Sequence, residues 1–202
     1  TESPAAQIRE RPEIIAPHVR WVRTMAGSEG LAQIPRLAEE PGQKSSGRAC
    51  LDEARERTDE ALGAAHEFAA AGHADILAVG NEVLLRGELP QEELIGYIER
   101  AKAAAAGVPV GYVDAYFLFE DYPQVTEACD VILANCYPFW EGCPADHALL
   151  YMKEMYRRAV HVANGKKVIV SETGWPNIGT ATEGASPSIE NAIKYFVDTC
   201  KW

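Results

Sequence analysis

Two glutamates stand where paired carboxyl groups can do chemistry. Glu82 lies in the turn Val79-Gly80-Asn81-Glu82, directly after the apolar run 74–79. Glu172 lies in Ser171-Glu172-Thr173-Gly174-Trp175-Pro176, directly after the run 167–170. One glutamate in a solvated loop means little, and two solvated loop glutamates are the plain alternative here. Two at equivalent strand ends, each in a turn rich in Gly, Asn or Trp, point to work in common. Carboxyl groups with different proton affinities can divide a substitution, one lending a proton to the leaving group and the other attacking. The two glutamates are far apart in sequence. They meet only if the sheet curls and brings those strand ends around one mouth, as a barrel does and a flat sheet does not.

The elements that must position them alternate. Short apolar, mostly β-branched runs at 19–24, 74–79, 108–113, 131–134 and 167–170 are separated by Ala-rich or amphipathic stretches. Helices are predicted over 30–40, over 52–71, from Leu89-Pro90-Gln91 onward, around 121–128, over 145–163 and over 188–200. Pro90 suits a first helical turn. Asn164-Gly165 stops the long helix, and Ser188 is placed to cap the last one. The run 131–134 carries no polar residue, as a strand covered on both faces should not. Residues 42–51 are rich in Gly, Ser and Lys and read as a poor strand. This βα order predicts an α/β fold with a parallel sheet inside and helices outside, of the (β/α)8 barrel type. Only six strand positions can be counted, where a whole barrel takes eight strands and about 250 residues.

Bulk properties exclude some partners. The 202 residues carry 30 acidic and 19 basic side chains, a net charge of −11. Nucleic acid is therefore not expected as a partner, since phosphates need a basic face. No run approaches 18 apolar residues, so no membrane span is expected. Residues 1–20 show no apolar signal-peptide core, which leaves the compartment open. The five cysteines leave at least one unpaired. Cys129, Cys136 and Cys143 repeat every seven residues but lack the close pairs of tetrahedral metal sites. They read as buried, inert thiols. The five histidines show neither metal nor triad spacing, and Ser171 has no nucleophile elbow. Neither a metal nor another cofactor is expected.

Three motifs in order, Gly80-Asn81-Glu82-Val83, Asn135-Cys136-Tyr137-Pro138-Phe139 and Ser171-Glu172-Thr173-Gly174-Trp175-Pro176, resemble glycoside hydrolase family 17. The resemblance runs from about Ile8 to Trp202 and is closest to microbial members. It implies a (β/α)8 barrel and a retaining enzyme that hydrolyses or transglycosylates β-1,3-glucan. It also implies Glu82 as acid/base and Glu172 as nucleophile. Retaining enzymes hold such a pair roughly 5–5.5 Å apart. A secreted or periplasmic location suits the substrate class.

Further residues fit a sugar site. Asn81 could bond the sugar 2-hydroxyl, although a turn asparagine needs no such role. Tyr137 could bond Glu172 and hold it ionised, or simply cap the core. Arg23, at the end of the first recognisable strand, could supply a cation beside the nucleophile, or pair elsewhere. Asn135 and Tyr116 complete the expected substrate-binding set. Trp175, Tyr116, Phe139 and Trp140 are candidate sugar platforms, with ordinary packing as the alternative. Asp114 and Glu141 could bind hydroxyls.

The chain departs from the family at its ends. Strands one and eight are missing, and strand three, near residues 43–51, looks degraded. The whole chain, 1–202, reads as one catalytic barrel domain truncated at both ends. Self-association through the open sheet edges is a possible consequence. A non-catalytic glucan-binding remnant is the rival reading.

Overall fold

Six strands follow one another in a single parallel sheet: β1 (Trp21–Arg23), β2 (Lys44–Ala49), β3 (Ile76–Val79), β4 (Val110–Ala115), β5 (Val131–Asn135) and β6 (Lys167–Glu172). All five pairings are parallel and sequential. The computed structural model describes residues 10, 13–23, 37, 42–49, 63, 71–72, 74–105 and 107–202. The helices expected at 30–40 and 52–71 fall almost wholly outside these residues. The other four are present: α1 (Gln91–Ala104), α2 and α3 (Leu118–Asp121 and Pro123–Ala128), α4 (Ala148–Val162) and α5 (Ile189–Lys201). A 3-10 turn at Ala145–His147 leads into α4. No helix among the described residues is long and apolar enough to cross a membrane.

The expected end signals act as read. Ser188 Oγ accepts the Asn191 N–H at 3.0 Å and caps α5. Asn164 and Gly165 take positive φ, 51° and 81°, and end α4. Pro123 opens α3 at its first turn, where its missing N–H costs nothing.

Strands β3 to β6 are mostly apolar on both faces, and the alternation sorts their side chains into two layers. Leu77, Val79, Val110, Tyr112, Ile132, Ala134 and Val168 face the helices and pack with Leu94, Ile98, Met152 and Met155. Ile76, Ala78, Val113, Val131, Leu133 and Ile169 form a second cluster on the inner face. Each such buried aliphatic side chain contributes about 1.5–3 kcal/mol. Gly111 faces inward at a close approach: a Cβ there would lie 2.5 Å from the Val131 carbonyl oxygen.

The sheet curls. Neighbouring strands lie about 4.8 Å apart, so a flat six-stranded sheet would separate its outer strands by roughly 24 Å. Arg23 on β1 nevertheless bonds Glu172 on β6 at 2.6 Å. A cavity of about 320 Å³ is lined by Trp21 and Val22 from β1 and by Lys167 and Ile169 from β6. The result is an open, barrel-type arc.

One expectation fails. The polar stretch at 42–51 is not a degraded strand: Lys44–Ala49 is a six-residue strand paired on both sides, with β1 and β3. Pairing of Lys44–Ser46 with β1 and of Ser46–Ala49 with β3 outweighs its weak propensity. Gln43, Ser45 and Ser46 are buried there, and the Ser45 N–H bonds Asp75 Oδ2 at 3.0 Å.

Candidate active site

Glu172 ends β6, and an irregularity in the sheet sets its direction. Ala134 pairs with Val170, but Asn135 pairs with Glu172, so Ser171 is an extra residue on β6. Such bulges re-aim the side chains beside them. Glu172 Oε1 accepts Arg23 Nη1 at 2.6 Å, and Oε2 accepts the Tyr137 hydroxyl at 3.0 Å. Both oxygens thus face donors, an arrangement that an ionised carboxylate satisfies. Burial, and then the Glu172 charge, push the Tyr137 hydroxyl well above the ordinary tyrosine range, so it remains a donor. Arg23 also bonds the Ser171 carbonyl at 3.2 Å and Asn81 Oδ1 at 2.9 Å. One guanidinium therefore ties three strand ends together, as a rigid fork can and an ammonium cannot.

Glu82 stands across from it in a different setting. Its Oε1 accepts Asn135 Nδ2 at 2.8 Å, and Arg86 Nη1 lies 3.6 Å from Oε2. Ser171 Oγ donates to Asn135 Oδ1 at 2.8 Å and holds that amide in place. Asn135 therefore links the residue beside Glu172 to Glu82. Arg86 further bonds the Asn81 carbonyl at 2.7 Å and forms a two-pronged pair with Glu88.

Glu82 and Glu172 line one cleft of about 580 Å³ with Asn135, Tyr137, Tyr116 and Trp140. Trp140 is 66% exposed, its ring meeting Phe139 edge to face at 5.1 Å between centroids. Tyr116 contributes through its hydroxyl, which lies 3.3 Å from Glu141 Oε2; Tyr151 donates to the same oxygen at 2.6 Å. Arg158 braces Tyr116 from behind, bonding its hydroxyl at 3.0 Å and pairing with Glu120.

Several expected residues sit elsewhere. Trp175 is only 9% exposed; its ring packs between Phe139 and Tyr195 and its Nε1 donates to the Ser186 carbonyl at 3.0 Å. Its face is spent on packing rather than offered to the cleft. Phe139 is buried in the same cluster. Asp114 is 0% exposed, so no sugar hydroxyl reaches it. Asn81, by contrast, stays with the site: its Oδ1 is held by Arg23, the same guanidinium that bonds Glu172. Cys129 and Cys136 are free and buried, and burial pushes both thiols up to about 12. Reading the sequence missed Arg86 and Tyr112. Arg86 had a signal, a cation four residues after Glu82 in the same turn. Tyr112 had none, for it reads as one more apolar strand residue.

Known proteins resemble this chain in sequence and fold. Residues 2–202 match the family described as BtgE/BtgC glycoside hydrolase domain. A probable glucan endo-1,3-β-glucosidase of Emericella nidulans is 30% identical over 59% of this chain and 30% of its own length. A glucan 1,3-β-glucosidase of Saccharomyces cerevisiae is 30% identical over 58% of this chain and 44% of its own. The chain thus spans less than half the length of these curated relatives. Among solved structures, an active-site mutant of Rhizomucor miehei β-1,3-glucanosyltransferase in complex with laminaritriose superposes with a TM-score of 0.88. It is 28% identical, with 97% of this chain and 75% of that one covered. A second structure, the glycoside hydrolase family 17 β-1,3-glucanosyltransferase from the same organism, gives 0.86 at 29% identity, over 96% of this chain and 74% of that one. By its strand order, its motif-bearing strand ends and the match along nearly its whole length, this chain belongs to the BtgE/BtgC glycoside hydrolase domain family.

Proposed function

We propose that this domain is a retaining glycoside hydrolase acting on β-1,3-glucan, with Glu172 as nucleophile and Glu82 as acid/base. The observation that carries the reading is the contrast of two carboxylates lining one cleft. Glu172 is held by a cation and a hydroxyl, while among the described residues Glu82 accepts a hydrogen bond from a neutral amide and has its cation, Arg86, farther off at 3.6 Å. Glu172 attacks the anomeric carbon while Glu82 gives its proton to the leaving glycosidic oxygen. Glu82, now a base, takes a proton from the incoming hydroxyl that breaks the Glu172 ester, and configuration is retained. The names of the relatives favour the substrate class, and a laminaritriose complex of one of them fits a β-1,3-linked chain in such a cleft.

Transglycosylation is the second reading, and the exposed Trp140 favours it. An aromatic face at the cleft can hold an acceptor sugar against competing water. Product analysis separates the two: longer oligosaccharides mark transfer, free reducing ends mark hydrolysis. Self-association is a further proposal. It rests on β1 and β6 as outer strands of the described sheet, with Trp21 exposed, and on the exposed Ile189, Ile193 and Phe196 of α5. Light scattering over a concentration series tests it; a mass equal to one chain throughout excludes it.

Azide tests the assignment of roles. Glu172→Ala should abolish turnover, and azide should restore it while forming an α-glycosyl azide. Glu82→Ala should spare substrates with activated leaving groups, and azide should then give the β-anomer. Equal losses of Glu82→Ala on activated and natural substrates would count against the assignment.

A further inference from the structure

The turn that carries Glu82 has an unusual backbone. Glu82 takes φ +55°, a left-handed conformation uncommon for a side chain without a short polar tip. It follows Gly80, which is also left-handed at φ +75°. Such a conformation persists only where the surroundings over-determine it. The Glu82 N–H bonds the Val113 carbonyl at 2.8 Å. The next donors go to side chains of β4. The Leu84 N–H donates to the Tyr112 hydroxyl at 3.0 Å, and the Leu85 N–H to Asp114 Oδ2 at 3.4 Å. The Tyr112 hydroxyl donates a short hydrogen bond to the same Asp114 oxygen, while Asp114 Oδ1 accepts the Ala115 N–H at 2.7 Å. Both side chains are buried and neither lines the cleft, although Asp114 bonds the backbone of Leu85 and Ala115, which do.

We propose that Asp114 and Tyr112 are positioning residues that fix Glu82 for proton transfer by clamping the backbone N–H groups of Leu84 and Leu85, two and three residues after it. The proposal rests on the reading of Glu82 as acid/base. Burying a carboxylate is costly, and burial holds Asp114 up to about 6. An apolar pair would fill the space at lower cost. What the carboxylate and hydroxyl add is a fixed place for the Leu84 and Leu85 amides, and so for the left-handed turn. Proton transfer needs its acid within hydrogen-bond reach of the leaving oxygen, whereas the nucleophile is held independently on β6.

Tyr112→Phe, Asp114→Asn and Glu82→Gln test this on two substrates. One is a β-1,3-gluco-oligosaccharide, whose leaving group needs a proton; the other is a 2,4-dinitrophenyl β-laminaribioside, whose leaving group does not. Misplacing a reacting group by about 1 Å costs on the order of 10²-fold. Both β4 variants should lose about that much kcat/KM on the oligosaccharide and only a few-fold kcat/KM on the activated glycoside, because kcat/KM reports the first step, in which that leaving group needs no proton. A merely structural role would lower both substrates together. Equal losses on the two substrates, or none on either, overturn the proposal. Tyr112→Phe keeps the ring and removes only the hydroxyl, so it decides the matter if Asp114→Asn fails to fold. If Glu82→Gln itself does not discriminate, the acid/base reading falls and the proposal with it. If it discriminates and the two β4 variants do not, only the positioning proposal falls.

Discussion

The ends of β3 and β6 hold the same kind of side chain in opposite ways. At β6, Glu172 sits on a bulge, its side chain is 17% exposed, and Arg23 and Tyr137 occupy its two oxygens. At β3, Glu82 sits in a left-handed turn, its side chain is 24% exposed, and its near partner is the uncharged Asn135 amide. The nearest cation there, Arg86, stands at 3.6 Å and is itself 46% exposed, so water screens it. A nucleophile must stay charged and aimed. An acid/base must gain and lose a proton in each cycle, and a close fixed cation would oppose the gain. The molecule spends its direct ion pair on one carboxylate and withholds it from the other.

Breaking the β6 side should have the largest effect. Arg23→Met should lower kcat/KM on the order of 10³-fold, and equally for natural and activated substrates, because the nucleophile serves both. Arg23→Lys should recover only part of it, since an ammonium cannot reach Glu172, Asn81 and Ser171 together. A loss confined to natural substrates would break the comparison.

The next effect is on stability and belongs to the β3 side. Asp114 is held up to about 6 in the folded protein, above the ordinary aspartate value near 4. The folded state then binds that proton more tightly than the unfolded chain. Asp114's contribution is therefore most favourable below pH 4, falls as pH rises through 6, and is flat above that. The change is on the order of 3 kcal/mol. Urea unfolding from pH 3.5 to 7.5 should show this slope as the difference between the unmodified protein and Asp114→Asn. A difference of the opposite sign would contradict the burial of a costly carboxylate under the turn.

Asn135→Ala should come third. It removes the amide from Glu82 and the acceptor from Ser171, and should cost roughly 10- to 100-fold, more for natural than for activated substrates. Arg86→Met should cost least, a few-fold in kcat/KM, because its pair with Glu82 is long and exposed. A larger loss for Arg86 than for Asn135 would mean that the acid/base does lean on a cation.

Much of this contrast is already written in the chain. Both glutamates, Tyr137 and Asn135 sit where short motifs directly follow apolar runs, and a strand end is a position that a local pattern marks. Arg23 was legible for the same reason. What a local pattern does not mark is which face a residue takes. Asp114 lies at a strand end like the others, yet it shares the helix-facing side with Tyr112 and is sealed there. Trp175 sits in the same turn as Glu172, but its ring turns to Phe139 and Tyr195. Strand β2 was obscured for another reason: Ser and Lys are weak strand formers, and its stability comes from partners far off in sequence on both edges.

The division of roles between β3 and β6 is tested most directly by trapping the covalent intermediate. A 2-deoxy-2-fluoro laminaribiosyl fluoride should glycosylate Glu172 with loss of fluoride and then turn over slowly, because the 2-fluorine destabilises the second transition state. Digestion and mass spectrometry should find the sugar on Glu172 alone, with labelling retained in Glu82→Ala and absent in Glu172→Ala. A sugar ester on Glu82 or on any other residue, or turnover with inverted configuration, would contradict the assignment.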